Sequence, residues 1–361
     1  MNLRIPGPVP LPEKISAALQ KPMIDHRGPE FAAIQARVVA ALQRVFQTQN
    51  DMILFTSSGT GALEAAIVNT ISPGDRVLSF SAGLFGDRFA DIATTYGAEI
   101  TRVDFEWGRA MEPERIARAV RENRNARVVL VTHNETSTGV LHPLKEIAQA
   151  VRENSDAVLI VDAISSVGGT ELQTEAWGLD MVITASQKAW ACPPGLAMLS
   201  VSPRAWQVND SAKTPRYYFD LRRMKNVMDK GATPFTPAML NYFALDNSLE
   251  LIEAEGIEKV WARHAHIASY TRGRAEKIGL KLFADARYAS PTVTALAMPN
   301  GIDAEELRRI ACEEFGLVIG AGLDKLRGKI IRVGHLGWVS AEQIDNAMRA
   351  LQESLEKLRE S

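Results

Sequence analysis

The chain has 361 residues, 46% of them hydrophobic, and 41 lysines and arginines against 43 aspartates and glutamates leave a formal net charge of -2. That near balance gives no general pull toward nucleic acid or acidic membrane surfaces, and the length predicts two or three domains. Two cysteines, Cys192 and Cys312, are too few for a disulfide framework, an iron–sulfur cluster or a four-cysteine zinc site.

The opening MNLRIPGPVPLPEKI has prolines where a signal peptide needs an apolar core. No run of about 18 apolar residues is present to span a bilayer. A soluble, cytoplasmic protein without a metal site is the expectation.

From about residue 50 to 205, short apolar runs alternate with amphipathic ones. Met52–Phe55, Arg76–Phe80, Glu99–Val103, Ala126–Thr132, Ala157–Val161 and Met181–Thr184 read as buried strands. Ala62–Thr70, Pro113–Glu122 and Pro143–Glu153 read as helices between them, the last two opened by proline as helix starts allow. Alternation of this kind predicts a mostly parallel sheet covered on both faces. Beyond it, Ala238 to Ile278 is helical in period. Strand-like Leu280–Phe283 and Thr292–Met298 follow, then helices Ala304–Phe315 and Ala341 to Arg359. The division expected is an N-terminal arm (1–20), a large domain (21–245) and a smaller α+β domain (246–361).

Four segments carry candidate chemistry, and each falls at or within a predicted strand whose end faces a ligand edge. Thr56-Ser57-Ser58-Gly59-Thr60-Gly61 makes a tight turn into a helix, which suits a phosphate or serves only as a cap. Asp162 ends an apolar strand, where an unpaired carboxylate is costly; it caps a neighbour or faces a protonated ring nitrogen. Lys188 follows another strand, where desolvation lowers an amine's pKa and readies it to form a Schiff base, unless it snorkels to water. Arg332 lies inside a strand and needs an anion, either a substrate carboxylate or a structural partner.

A phosphate cradle, a buried acid, a Schiff-base lysine and a carboxylate-binding arginine together form what a pyridoxal phosphate enzyme acting on amino acids requires. Over nearly its whole length the chain resembles the class V aminotransferases of fold type I, in the alanine–glyoxylate, serine–glyoxylate and serine–pyruvate branch. The resemblance runs through Pro6-Gly7-Pro8, Ser58 to Glu64, Gly83-Leu84-Phe85-Gly86 and His133-Asn134-Glu135-Thr136-Ser137-Thr138-Gly139. It continues through Asp162, Ser186-Gln187-Lys188, Pro193-Pro194-Gly195, Thr236-Pro237 and Arg332-Val333-Gly334.

That resemblance implies an α/β fold with a seven-stranded type of sheet and pyridoxal 5′-phosphate as cofactor. It implies that Lys188 holds the cofactor and moves the proton, and that Asp162 keeps the pyridine nitrogen protonated. Ser58, Gly59, Thr60 and Gln187 would bind the phosphate, Phe85 would stack on the ring, and Thr136 would lie near its polar edge. Arg332, with Gly7, would hold the substrate. A homodimer with shared sites would bring Thr233 and Thr236 to the partner's phosphate. Phe85, Thr60 and Thr233 depart from the Trp, His and Tyr of many relatives.

The activity implied is ping-pong transamination of alanine or serine with glyoxylate or pyruvate. The alternative is a phosphoserine or other acidic-substrate aminotransferase, for which His26-Arg27 is the cue; the plain reading pairs Arg27 with Glu30. A lyase or desulfurase would use Cys192, but Gln187 stands where desulfurases place His, and a buried inert thiol fits better. A non-catalytic interaction subunit has no need of Lys188, Asp162 and Arg332 together. His264 and His266, two apart on a helix, share no face, and His335 lines the pocket or simply packs.

Overall fold

The computed structural model describes residues 1–360. The chain opens with β1 (Asn2–Arg4), which joins the second of two sheets. The first is built from β2 (Asp51–Ser57), β3 (Arg76–Ser81), β4 (Glu99–Asp104) and β5 (Val128–Thr132). After the short hairpin of β6 (Asn134–Glu135) and β7 (Val140–Leu141), it continues with β8 (Val158–Asp162), β9 (Met181–Ala185) and β10 (Gly195–Val201). The order is β2-β10-β9-β8-β5-β3-β4, and only β10 runs against its neighbours. All six predicted strands are present, within two residues of the expected starts.

Alternation explains why this sheet is covered twice. Leu54, Val129, Val131, Leu159 and Val161 point into one core with the helices Pro29–Phe46 and Leu144–Asn154. Ile53, Phe55, Val128, Leu130 and Ile160 point into another with the helices Gly59–Val68 and Leu84–Thr95. Strands buried on both faces are apolar at every position, which is the pattern of parallel sheets.

β10 escapes the sequence pattern because Pro193-Pro194 reads as a loop. Yet its register with β2 and β9 is continuous from Ala197 to Val201. The helix expected from Ala62 begins at Gly59, with Ser58 as its extended N-cap.

The second sheet adds β11 (Lys281–Leu282), β12 (Val293–Ala297), β13 (Leu317–Ala321) and β14 (Ile330–Gly334) to β1, in the order β1-β13-β14-β12-β11. Helices Ala304–Phe315 and Ala341–Glu360 pack on it through Leu307, Ala311, Ile344, Met348 and Leu351. The residues expected as an N-terminal arm thus place β1 parallel to β13, pairing Asn2 with Leu317. Neither β1 nor β13 was expected from periodicity.

The segment after β1 lies directly on β14. A Cβ at Gly334 would stand 2.1 Å from the Ile5 carbonyl oxygen, a backbone atom with no freedom to turn away. Gly334→Ala is therefore expected to cost about 1–3 kcal/mol, as overpacking does. Denaturant unfolding checks this; a midpoint equal to wild type refutes the tight seating of the N-terminal segment.

Candidate active site

The C-terminal ends of β2, β8 and β9 and the turns after β3 and β5 meet around a cavity of about 220 Å³. Ser58, Gly59, Thr60, Phe85, Thr136, Asp162, Gln187 and Lys188 all line it, so eight of the expected residues come together.

The turn after β2 forms one wall. Ser58 caps the helix Gly59–Val68 by position, but its hydroxyl makes no capping bond and stays available to the cavity. The first N–H groups of a helix lack partners inside it, so this turn presents donors and a positive dipole end. Gly59 packs closely: a Cβ there would lie 2.6 Å from Ile164 Cδ1 and push that side chain aside. Across the cavity, the buried Gln187 Oε1 has no hydrogen-bond partner.

Asp162 closes β8 and is only 4% exposed. The Ile164 N–H donates to its Oδ1 at 3.0 Å. Burial pushes its carboxyl up to about 6, opposed by that bond and by Lys188 and Arg88. Lys188 donates from Nζ to the Pro6 carbonyl. Burial, followed by the nearby Arg332, lowers its amine to about 8, while Asp162 pulls the other way. Gly7 adjoins the amine with φ +113°, and a Cβ there would lie 2.8 Å from Lys188 Nζ.

Arg332 is 7% exposed on β14. Its Nε donates to the Ala321 carbonyl at 2.7 Å and its Nη1 to the Thr136 carbonyl at 3.0 Å. No acid forms an ion pair with it among the described residues, so the structural pair weighed from sequence is not what holds it. Burial lowers its guanidinium to about 10, although Glu135 favours the charge.

Thr233 and Thr236 do not reach this cavity. They line a separate recess with Tyr218, Phe235 and Tyr242, and Thr233 Oγ1 donates to the Phe235 carbonyl at 2.8 Å. Arg27 is exposed and outside the cavity, and no Arg27–Glu30 ion pair occurs among the described residues. Cys192 is buried, which pushes its thiol up to about 12 and leaves no thiolate near neutral pH.

His335 Nε2 sits 2.9 Å from Thr294 Oγ1 inside the second sheet. His264 bonds the Val260 carbonyl and the Gly337 N–H. No group of three or more metal-ligating side chains occurs among the described residues, and no helix there is long and apolar enough to cross a membrane.

Sequence reasoning gave no role to Arg88, Ser165 or Glu135. Arg88 lines the cavity with its guanidinium 5.0 Å from the Phe85 ring centroid, one helical turn beyond it. That i,i+3 spacing within Phe85-Gly86-Asp87-Arg88 was the available signal. Ser165 Oγ accepts from Asn134 Nδ2 at 2.8 Å.

The Lys188 shift carries a sign for stability. Between about pH 8 and 10.5 the unfolded chain keeps a proton that the folded chain has lost, so stability rises with pH through that window. The burial cost is present in full below it. Lys188→Met should raise the unfolding midpoint of the cofactor-free protein at pH 7, with the gain fading toward pH 10. No gain at pH 7 would contradict a strained amine.

The family model described as aminotransferase class-V matches residues 13–335. A protein named soluble hydrogenase, small subunit, from Synechococcus sp. is 40% identical over 99% of this chain and 93% of its own length. An L-aspartate–glyoxylate aminotransferase of Paracoccus denitrificans is 38% identical over 92% of this chain and 85% of its own. A serine–glyoxylate aminotransferase of Hyphomicrobium methylovorum is 36% identical over 98% and 89%. Among solved structures, an alanine–glyoxylate aminotransferase from Nostoc sp. superposes with a TM-score of 0.95 at 32% identity, covering 98% of this chain and 95% of that one.

Proposed function

The chain belongs to the class-V aminotransferases, and we propose that it moves an amino group from alanine or serine to glyoxylate or pyruvate by a ping-pong route. The cofactor of this reading is pyridoxal 5′-phosphate. The observation that carries it is the meeting of Lys188, Asp162 and a helix N-terminus around one cavity, with Arg332 held behind Thr136.

The donor set fits that group. The free Ser58 hydroxyl, the N–H groups of Gly59 and Thr60, and the side-chain NH2 of Gln187 suit its phosphate. Asp162, an anion above about pH 6, suits a ring nitrogen that must keep its proton. Phe85 offers an aromatic face, smaller than a Trp face and without its N–H. Thr136 offers a hydroxyl at the cavity wall. When bound, pyridoxal phosphate supplies an electron sink for the electrons left on the substrate α-carbon.

Lys188 is the residue that would hold the group. Its amine, at about 8, is also matched to taking a proton from the α-carbon and returning it near neutral pH. Arg332 keeps N–H groups beyond its two carbonyl bonds, and these suit the substrate carboxylate, with Gly7 leaving room beside the amine. Pro6 and the segment around it cover the amine and limit water there.

The protein is proposed to act in the cytoplasm as a homodimer, with Thr233 and Thr236 completing the partner's phosphate site. Their distance from their own chain's cavity supports this, as does the exposed Tyr217 beside Phe235. An acidic donor is a second reading. Arg88 favours it, because this cation lines the cavity without an ion-paired acid among the described residues. Nothing comparable supports phosphoserine, since Arg27 lies outside.

Three experiments test the reading. Arg332→Lys keeps the charge but loses the fork, and should lower kcat/KM about 10- to 100-fold for alanine, serine and aspartate alike. Arg27→Ala should leave all three unchanged. Aspartate or phosphoserine leading the wild-type panel would reject the small, uncharged donor, and borohydride failing to fix the cofactor to Lys188 would reject the chemistry. For the dimer, mixing Lys188→Ala with Thr236→Asp chains should restore activity above either parent, because one site per mixed dimer is intact. No recovery in verified mixed dimers counts against sharing.

A further inference from the structure

Glu135 is fully buried, and every hydrogen bond to its carboxyl comes from a donor. The N–H groups of Phe85 and Gly86 reach Oε2, each at 3.1 Å. The Ser137 N–H and hydroxyl reach Oε1 at 3.0 and 2.5 Å. Ser137 Oγ in turn accepts from the Leu84 N–H at 3.1 Å. The helix Leu84–Thr95 therefore begins on this side chain, and it carries the two cavity residues Phe85 and Arg88. Approach is close enough that a Cβ on Gly83 would fall 2.4 Å from Glu135 Cδ.

Four donors leave no room for a proton on the acid. A protonated carboxyl would turn its own hydrogen against one of them and strand a buried polar group. The helix N-terminus likewise favours negative charge. Burial, opposed by the bonds from Ser137 and Gly86 and aided by Asp162, pushes the carboxyl up to about 7, so above that pH it stands as an anion inside the protein.

The other charged groups acting there are Asp162, which repels it, and Arg332, whose charge it favours. The connection to Arg332 also runs along the backbone: the next residue, Thr136, supplies the carbonyl that accepts a hydrogen bond from Nη1.

We propose that Glu135 is a positioning residue for the transamination: its carboxylate fixes the Phe85 face over the cavity and weakens the hold of Arg332 on a substrate carboxylate. This deepens the functional reading above and rests on it. A buried arginine with no anion near it binds any carboxylate tightly, and a product that is itself a carboxylate must leave. An anion placed close to the clamp, but bonded elsewhere, offsets part of that attraction and repels the incoming acid. Its orientation is secured because both oxygens are occupied by the backbone it organises.

The test compares Glu135→Gln, Glu135→Asp and Ser137→Ala holoenzymes at pH 8 with the wild type. Three quantities are read: borohydride labelling of Lys188, visible circular dichroism per bound cofactor, and the inhibition constant of propionate. Labelling of wild-type Lys188 tests the parent reading separately from the proposal.

Glu135→Gln should still label at Lys188. It should lose at least about half of the visible dichroism, because the Phe85 face is no longer held, and should bind propionate roughly three- to tenfold more tightly. Glu135→Asp keeps the charge on a shorter arm and should return the propionate constant to within about twofold of wild type, with the dichroism still reduced. Ser137→Ala should reduce dichroism without changing propionate binding. Wild-type dichroism and propionate affinity in Glu135→Gln overturn the proposal, as does a variant whose only change is a lower unfolding midpoint. If Glu135→Gln yields no folded protein, the other two decide: normal dichroism in both overturns the proposal, and reduced dichroism with unchanged propionate binding upholds it.

Discussion

A carboxylate, an amine and a guanidinium must be buried near one another without letting any two neutralise each other for good. Asp162, Lys188 and Arg332 meet that constraint by taking backbone partners: the Ile164 N–H, the Pro6 carbonyl, and the carbonyls of Ala321 and Thr136. Neutral dipoles satisfy hydrogen bonds while leaving much of each charge uncancelled, which is why burial still shifts all three. The two sheets exist around this arrangement. The first delivers Asp162 and Lys188 from adjacent strands, and the second delivers Arg332 from β14.

A charge left open in this way is an invitation to ligands, and the rest of the site limits which ones are accepted. Two glycines leave side chains room at the site: Gly59 lies against Ile164 and Ala185, and Gly7 against Lys188. Fixed dipoles aimed at a buried charge act with little reorganisation. The thiol nearest in sequence to Lys188 takes no part, since Cys192 packs at full burial and donates to the Trp190 carbonyl.

Much of this was legible in the residues. Apolar runs such as Val158–Val161 announce a strand buried on both faces, and a charged residue at the end of such a run must have a purpose or a partner. Asp162 at a strand end, Lys188 beyond one and Arg332 within a strand drew notice on that ground, and the set together with the family resemblance gave them their expected roles. What stayed hidden depends on pairings distant in sequence. β1 is three residues long, too short for a period to declare itself, and its pairing with β13 is fixed by tertiary contact. β10 was obscured by the prolines before it. Glu135 was visible as a letter in a polar run, but its importance lies in four donors, two of which come from a helix about fifty residues earlier in the chain, as the Phe85 bond shows.

The pairing of Asn2 with Leu317 also orders events during synthesis. Asn2–Arg4 has no partner strand until Leu317–Ala321 has been made, whereas the large sheet is complete once Val201 has emerged. The large sheet can therefore form before β1 has a partner, and the pairing of β1 with β13 has to follow it. Because Pro6 and Gly7 lie in that waiting segment and touch Lys188, the cavity acquires its final wall only then. A nascent or C-terminally truncated chain would carry the lysine and the acid but not the closure, so competence arrives late and all at once.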